Sequence, residues 1–121
     1  MRRALAVALL TVLAGPGIAK TETVTRGAGA VLRGLDKVDG TITDVTLDTG
    51  GAGQVGRLTL ELGECRYPKG DAARDAYAYL TIRDTASGDV FFAGWMIASS
   101  PALNALEHPR YDVWVLRCTT N

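Results

Sequence analysis

Three features of this 121-residue chain predict an all-β domain. Apolar and polar residues alternate over residues 58–62 and again over 76–82, the period of a strand with one buried side. The turn-forming pairs Asp39-Gly40 and Ser87-Gly88 fall between such stretches. Only one short segment, starting at Ser100-Pro101, carries a helix signature. The expected architecture is a small single-domain β-sandwich or partly closed barrel of six or seven mainly antiparallel strands with one short helix.

Residues 20–29 are polar and glycine-rich without a period of either kind, and are expected to be a flexible lead-in to a domain over residues 30–121. Residues 31–38 and 41–48 are short strands joined at Asp39-Gly40, and residues 50–56 form a loose glycine-rich loop. In the next strand Leu58, Leu60 and Leu62 face one way while Thr59 and Glu61 face the other. Strict alternation would place Cys65 opposite the leucines, so a bulge at Gly63 is expected to turn its sulfur inward. Ala76, Ala78, Leu80 and Ile82 form the following apolar face, with Tyr77, Tyr79, Thr81 and Arg83 opposite. Residues 90–98 are apolar at both parities, which predicts a central strand covered on both sides, with Gly94 permitting a close approach. Ser100 is the expected helix cap, Pro101 the first helical residue, Leu103 and Leu106 the apolar side, and His108-Pro109 the stop. The last strand, residues 111–118, is expected to place Trp114, Leu116 and Cys118 on one face and Val113, Val115 and Arg117 on the other.

The N-terminus predicts the compartment. A cationic start, an apolar run from Ala4 to Ala14, and Gly15-Pro16-Gly17 describe a secretory signal peptide over residues 1–19, with the mature chain starting near Lys20. The run is shorter than the roughly 20 residues that span a bilayer, and no later segment is long enough, so no transmembrane segment is expected in the mature chain. A soluble periplasmic protein of about 100 residues and one core follows. Loss of Arg2 and Arg3 leaves a net charge of about −2, which argues against a nucleic-acid partner. Cys65 and Cys118, in a chain sent to an oxidising compartment, predict one structural disulfide.

Several motifs have an ordinary explanation. Gly51-Ala52-Gly53-Gln54-Val55-Gly56 matches the dinucleotide fingerprint in letters, but it leads into a strand rather than a helix, so no nucleotide cofactor is expected. Ser99 or Ser100, His108 and Asp112 supply the side-chain types of a nucleophilic triad without a nucleophile elbow or an oxyanion hole, so no catalytic residues are assigned. One histidine and two paired cysteines do not make a metal site. The tryptophans are expected in the core of so small a domain. Tyr77 and Tyr79, on the polar face of their strand, with Tyr111, form the candidate interaction surface.

The chain resembles the bacterial domain of unknown function 2155 family over residues 30–118. The matching residues are Leu35-Asp36-Lys37, Gly56-Arg57-Leu58, Cys65-Arg66-Tyr67-Pro68, Leu80 with Ile82 and Asp84, and Gly94-Trp95-Met96. The longest block continues through Ala98-Ser99-Ser100-Pro101-Ala102-Leu103, Ala105-Leu106-Glu107-His108-Pro109 and Tyr111-Asp112-Val113-Trp114-Val115-Leu116. The resemblance implies export and one compact domain, brings no catalytic or cofactor residues, and by association points to a membrane complex as partner. The function expected is that of a non-enzymatic periplasmic module binding a protein partner at the cell envelope. An envelope-glycan-binding module is the alternative, and a small hydrolase using Ser100 and His108 the remote one.

Overall fold

The computed structural model of the protein describes residues 23–121. The expected signal peptide and the first residues of the expected lead-in lie outside the described residues. The described strands are β1 (Val24–Arg26), β2 (Gly29–Asp36), β3 (Ile42–Asp48), β4 (Ala52–Val55), β5 (Leu58–Pro68), β6 (Tyr77–Asp84), β7 (Val90–Ile97) and β8 (Tyr111–Thr119). They form two antiparallel sheets, one of order β1-β5-β6-β7 with β4 also on β5, the other of order β3-β2-β8. The sheets stay separate rather than closing into a barrel, so of the two expected architectures the sandwich is the one formed.

The core lies between the sheets. Leu58, Leu60, Leu62, Ala78, Leu80, Ile82 and Met96 of the larger sheet meet Ala30, Leu32, Leu47, Val113 and Val115 of the smaller one. Each fully buried leucine contributes roughly 1.5–3 kcal/mol through the apolar surface it removes from water. The β6 pattern is the expected one, since Ala78, Leu80 and Ile82 have no exposed surface.

The register of β5 on β6 shifts between Leu62 and Glu64, so a bulge does fall at Gly63 and Cys65 joins the leucines inside. The expected faces of β8 need correction. Tyr111, Val113 and Val115 point inward while Trp114 is half-buried on the outer face. Val31 pairs with Arg117 and Leu32 with Val115, so Leu116 is an extra residue that resets the alternation before Cys118. Cys65 and Cys118 form a disulfide between the sheets, with a Cα separation of 5.6 Å.

The eight strands exceed the expected six or seven because two short ones carry no hydrophobic period of their own. β1 lies in the expected lead-in and β4 in the expected loop, and both pair with the same side of β5. Between them the Gly27 N–H donates to the Cys65 carbonyl at 2.7 Å and the Gly50 N–H to the Leu62 carbonyl at 2.8 Å. Pairing with the long strand, not local propensity, makes these segments extended.

Two other expectations are overturned. No helix occurs among the described residues, and residues 101–104 form only a turn closed by the Leu103 N–H on the Ser100 carbonyl at 3.0 Å. So short a segment cannot recover the cost of nucleating a helix, and Leu103 points into solvent. β7 is an edge strand rather than a central one, pairing with β6 alone. Its second apolar parity, with Trp95 and Ile97, lies on the outer face of the sheet.

The connection over residues 98–110 shields the free edge of β7. The Asn104 amide donates to the Trp95 carbonyl at 2.9 Å, and the His108 ring packs 5.0 Å from Phe91. Leu106 seals the inner side. Asp36 and Lys37 fasten the far end, Asp36 accepting a forked pair from Arg110 at 2.9–3.3 Å and the Lys37 ammonium donating to the His108 carbonyl at 2.6 Å. Because the chain that covers the edge is tied at both ends, β7 offers little backbone to a foreign strand.

Opening the disulfide releases a loop of 53 residues in the unfolded chain. Urea unfolding of the Cys65→Ala, Cys118→Ala double variant is therefore expected to show a loss of about 4 kcal/mol, and a loss near zero would mean that the bridge adds nothing to the packed sheets. A second outcome concerns pH. Hydrogen bonds from Arg110 hold the Asp36 carboxyl below the ordinary range against the opposing effect of desolvation, with further help from the Val38 N–H. A depressed carboxyl contributes stability that is present above its unfolded value and lost as pH falls through its folded value. Wild-type stability should therefore decline below about pH 4, and Asp36→Asn, less stable at neutral pH, should decline less steeply in acid unfolding curves.

Candidate functional site

The three tyrosines singled out from sequence separate in the structure. Tyr111 is buried between the sheets, where its hydroxyl accepts the Arg57 N–H at 3.2 Å and its ring fills the space beside Gly56. Gly56 has a φ of 54°, so any side chain there would be strained by its backbone and driven into that ring. Tyr111 therefore leaves the candidate surface. Tyr77 and Tyr79 stay on the outer face of β6, Tyr77 half-buried and Tyr79 37% exposed.

Trp95, expected in the core, joins them. The antiparallel register sets Tyr79 directly across from Trp95 and Tyr77 across from Ile97. Tyr79 and Trp95 meet edge to face, with ring centroids 5.4 Å apart and planes at 75°. On the neighbouring strand Glu64 stands opposite Tyr79 and Arg66 opposite Tyr77, outward because the Gly63 bulge has shifted their parity. The Arg66 guanidinium lies 5.2 Å from the centre of the Trp95 ring and donates to Glu64 at 2.7 Å. Arg26 on β1 reaches the other oxygen of Glu64 at 3.4 Å. One carboxylate thus holds two arginines beside an aromatic pair.

Adjoining depressions cover this face. One of about 480 Å³ is lined by Arg26, Gly63, Glu64, Tyr79 and Trp95, and another of about 300 Å³ by Val24, Arg66, Tyr77, Trp95 and Ile97. A third of about 410 Å³ extends past Gly63 and Tyr79 to Glu61 and Thr81. Gly63 leaves room where the depressions meet, since a Cβ there would come within 3.1 Å of Tyr79 Cδ1 and press that ring aside by a few tenths of an ångström. The surface is open, mixed in polarity, and suited to holding a ligand by ring faces and planar charged groups.

The catalytic residue types lie elsewhere and are engaged in holding turns. The Ser99 hydroxyl donates to Asp75 at 2.7 Å, and His108 Nδ1 accepts the N–H groups of Arg110 at 3.0 Å and Tyr111 at 3.1 Å. Burial pushes the Asp75 carboxyl up, but the Ser99 hydroxyl and the Ala76 and Ser99 N–H groups hold it below the ordinary value. Asp112 lies 3.6 Å from Lys37. The glycine-rich fingerprint forms β4 and the two-residue turn into β5. Among the described residues no group of three or more His, Cys, Asp or Glu is placed to hold a metal, and no helix is long and apolar enough to cross a membrane.

The described chain is a small β-sandwich clamped across its sheets by one disulfide, with an aromatic and arginine-bearing face. It belongs to DUF2155, the family described as an uncharacterized protein conserved in bacteria, which matches residues 30–118. A curated relative, the uncharacterized protein RP359 of Rickettsia prowazekii (strain Madrid E), is 28% identical over 87 residues. The match covers 69% of this chain and 56% of that protein, so the chain spans little more than half the length of the relative. No solved structure matches the chain.

The different burial of the tyrosines gives a direct check. Tyr111→Ala is expected to cost roughly 3–5 kcal/mol in equilibrium unfolding, as for other large buried side chains, while Tyr79→Ala should cost no more than about 1 kcal/mol. Equal losses would mean that Tyr79 serves packing rather than a surface.

Proposed function

We propose that the protein is a non-catalytic binding module of the bacterial cell envelope, exported to the periplasm, which holds an envelope component against the outer face of the β1-β5-β6-β7 sheet. The observation that carries this reading is the placement of Trp95. A residue type that gains most from burial stands instead on the sheet surface, 36% exposed, with Tyr79 at its edge and Arg66 across its ring. Tryptophan, tyrosine and arginine are the residues that most often anchor binding, and a small domain gains little stability by exposing them together. Export is supported by the cationic and apolar start of the sequence and by a disulfide, which persists in oxidising compartments. An accessory role beside a membrane complex fits the same placement.

The test is retention in fractionated cells. Tagged wild-type protein should stay with the envelope fraction after gentle lysis, and the Trp95→Ala, Tyr79→Ala double variant should be released while remaining folded and disulfide-bonded. Equal retention of both would rule out this face as the binding surface. In-cell crosslinking with mass spectrometry then identifies a protein component if one is held there.

A further inference from the structure

Resting on that reading, the chemistry of the groove specifies its ligand further. We propose that the outer face of the β1-β5-β6-β7 sheet binds an extended saccharide bearing carboxylate groups, with Trp95 and Tyr79 as ring platforms and Arg66 and Arg26 as its polar recognition groups.

The shape of the groove favours a chain of rings over a globular surface. The depression beside Arg26 shares Gly63 and Tyr79 with the one beside Glu61, and shares Trp95 with the one beside Ile97. Together they adjoin one another in a row across several strands. Gly63 leaves the floor of this row without a side chain next to Tyr79, and Gly27 and Gly50 line it further along. A sugar ring has an apolar face of C–H groups and an edge of hydroxyls, and it needs a flat aromatic surface beside planar hydrogen-bonding groups. Trp95 and Tyr79 provide the first.

The second is provided by acceptor and donor pairs set side by side. Glu64 receives Arg66 at 2.7 Å, and further along the same face Glu61 receives Arg83 at 2.9 Å. Such a pair can accept from one hydroxyl and donate to the next, which matches the vicinal hydroxyls of a saccharide. Charge then selects the kind of saccharide. At the two depressions beside Trp95 two arginines, Arg26 and Arg66, share one glutamate, Glu64, leaving one positive charge in excess, while Arg83 and Glu61 pair with each other further along the face. The Arg26 side chain is 77% exposed and touches Glu64 only at 3.4 Å, so its guanidinium fork can turn to a ligand carboxylate. In a chain of net charge near zero, a positive excess beside an aromatic platform is complementary to an acidic sugar.

The purified chain with its disulfide intact would be titrated, by intrinsic fluorescence and calorimetry, with a mannuronate hexamer, neutral chitohexaose and a hexaglutamate peptide. The mannuronate hexamer should bind saturably, and each of the other two at least about tenfold more weakly. Trp95→Ala should weaken binding of the mannuronate hexamer about tenfold or more. Arg66→Lys, which keeps the charge but loses the planar fork and disturbs the core less, should weaken it several-fold.

Equal binding of mannuronate and hexaglutamate, or no effect of Arg66→Lys, would reduce the interaction to general attraction of polyanions and overturn the proposal. Equal binding of chitohexaose would overturn the carboxylate requirement, and a blank with all three would overturn it entirely. The two readings fail separately. Envelope retention that depends on Trp95 and Tyr79, with no saccharide bound, removes the saccharide and leaves the binding module; retention that ignores both residues removes the module as well.

Discussion

The Cys65–Cys118 bridge can close only because each strand that carries a cysteine slips its alternation by one residue before reaching it. On β5 the slip is at Gly63 and on β8 it is at Leu116. With only one of the two slips, the side-chain period of two would point one sulfur to solvent and the other to the core. The bridge therefore demands more than a distance. It closes only with this register of β5 on β6 and of β8 on β2, the same register that fixes which residues beyond each bulge face outward.

The outer face of the larger sheet takes its composition from that constraint. Residues before Gly63 present Thr59 and Glu61 outward, whereas residues after it present Glu64 and Arg66. The change of parity that buries Cys65 brings Arg66 out beside Trp95 and sets Glu64 next to Tyr79. The exposed glycine at the bulge then lies at the bottom of the groove. Core and surface are coupled through one backbone irregularity, so Cys65 of the disulfide and the outward Glu64 and Arg66 that stand beside the aromatic pair occur on the same strand.

What the sequence reveals depends on whether the deciding force is local. β5 and β6 are readable because alternation over Leu58, Leu60 and Leu62 and over Ala78, Leu80 and Ile82 records burial on one face. The Gly63 bulge is readable because a cysteine in the wrong parity needs an explanation. β1 and β4 are not, since three or four polar and glycine-rich residues become strands only where β5 offers unpaired backbone. The second bulge is hidden as well: Leu116 and Arg117 look like an ordinary apolar and polar pair, and only the register against β2 shows the slip. Tyr111 and Trp95 exchange their expected places for the same reason. Their parities are plain in the sequence, but which parity is inside depends on the bulge in β8 and on the position of β7 at the sheet edge.

That edge position gives Trp95 its meaning. A strand apolar at both parities is most economically buried in the middle of a sheet, and β7 could have been placed there if the connection over residues 98–110 had formed a packing helix. The connection instead lies along the edge, with Asn104 occupying the Trp95 carbonyl and His108 packed on Phe91, while its far end is held by Asp36, Lys37 and Arg110. The edge of β7 is thereby partly occupied, yet Trp95 on its outer side keeps 36% of its surface exposed. A fold that only needed protection against aggregation would have covered or charged both. Engaging the edge while leaving the indole part-exposed favours contact at the face of the sheet over contact at its edge.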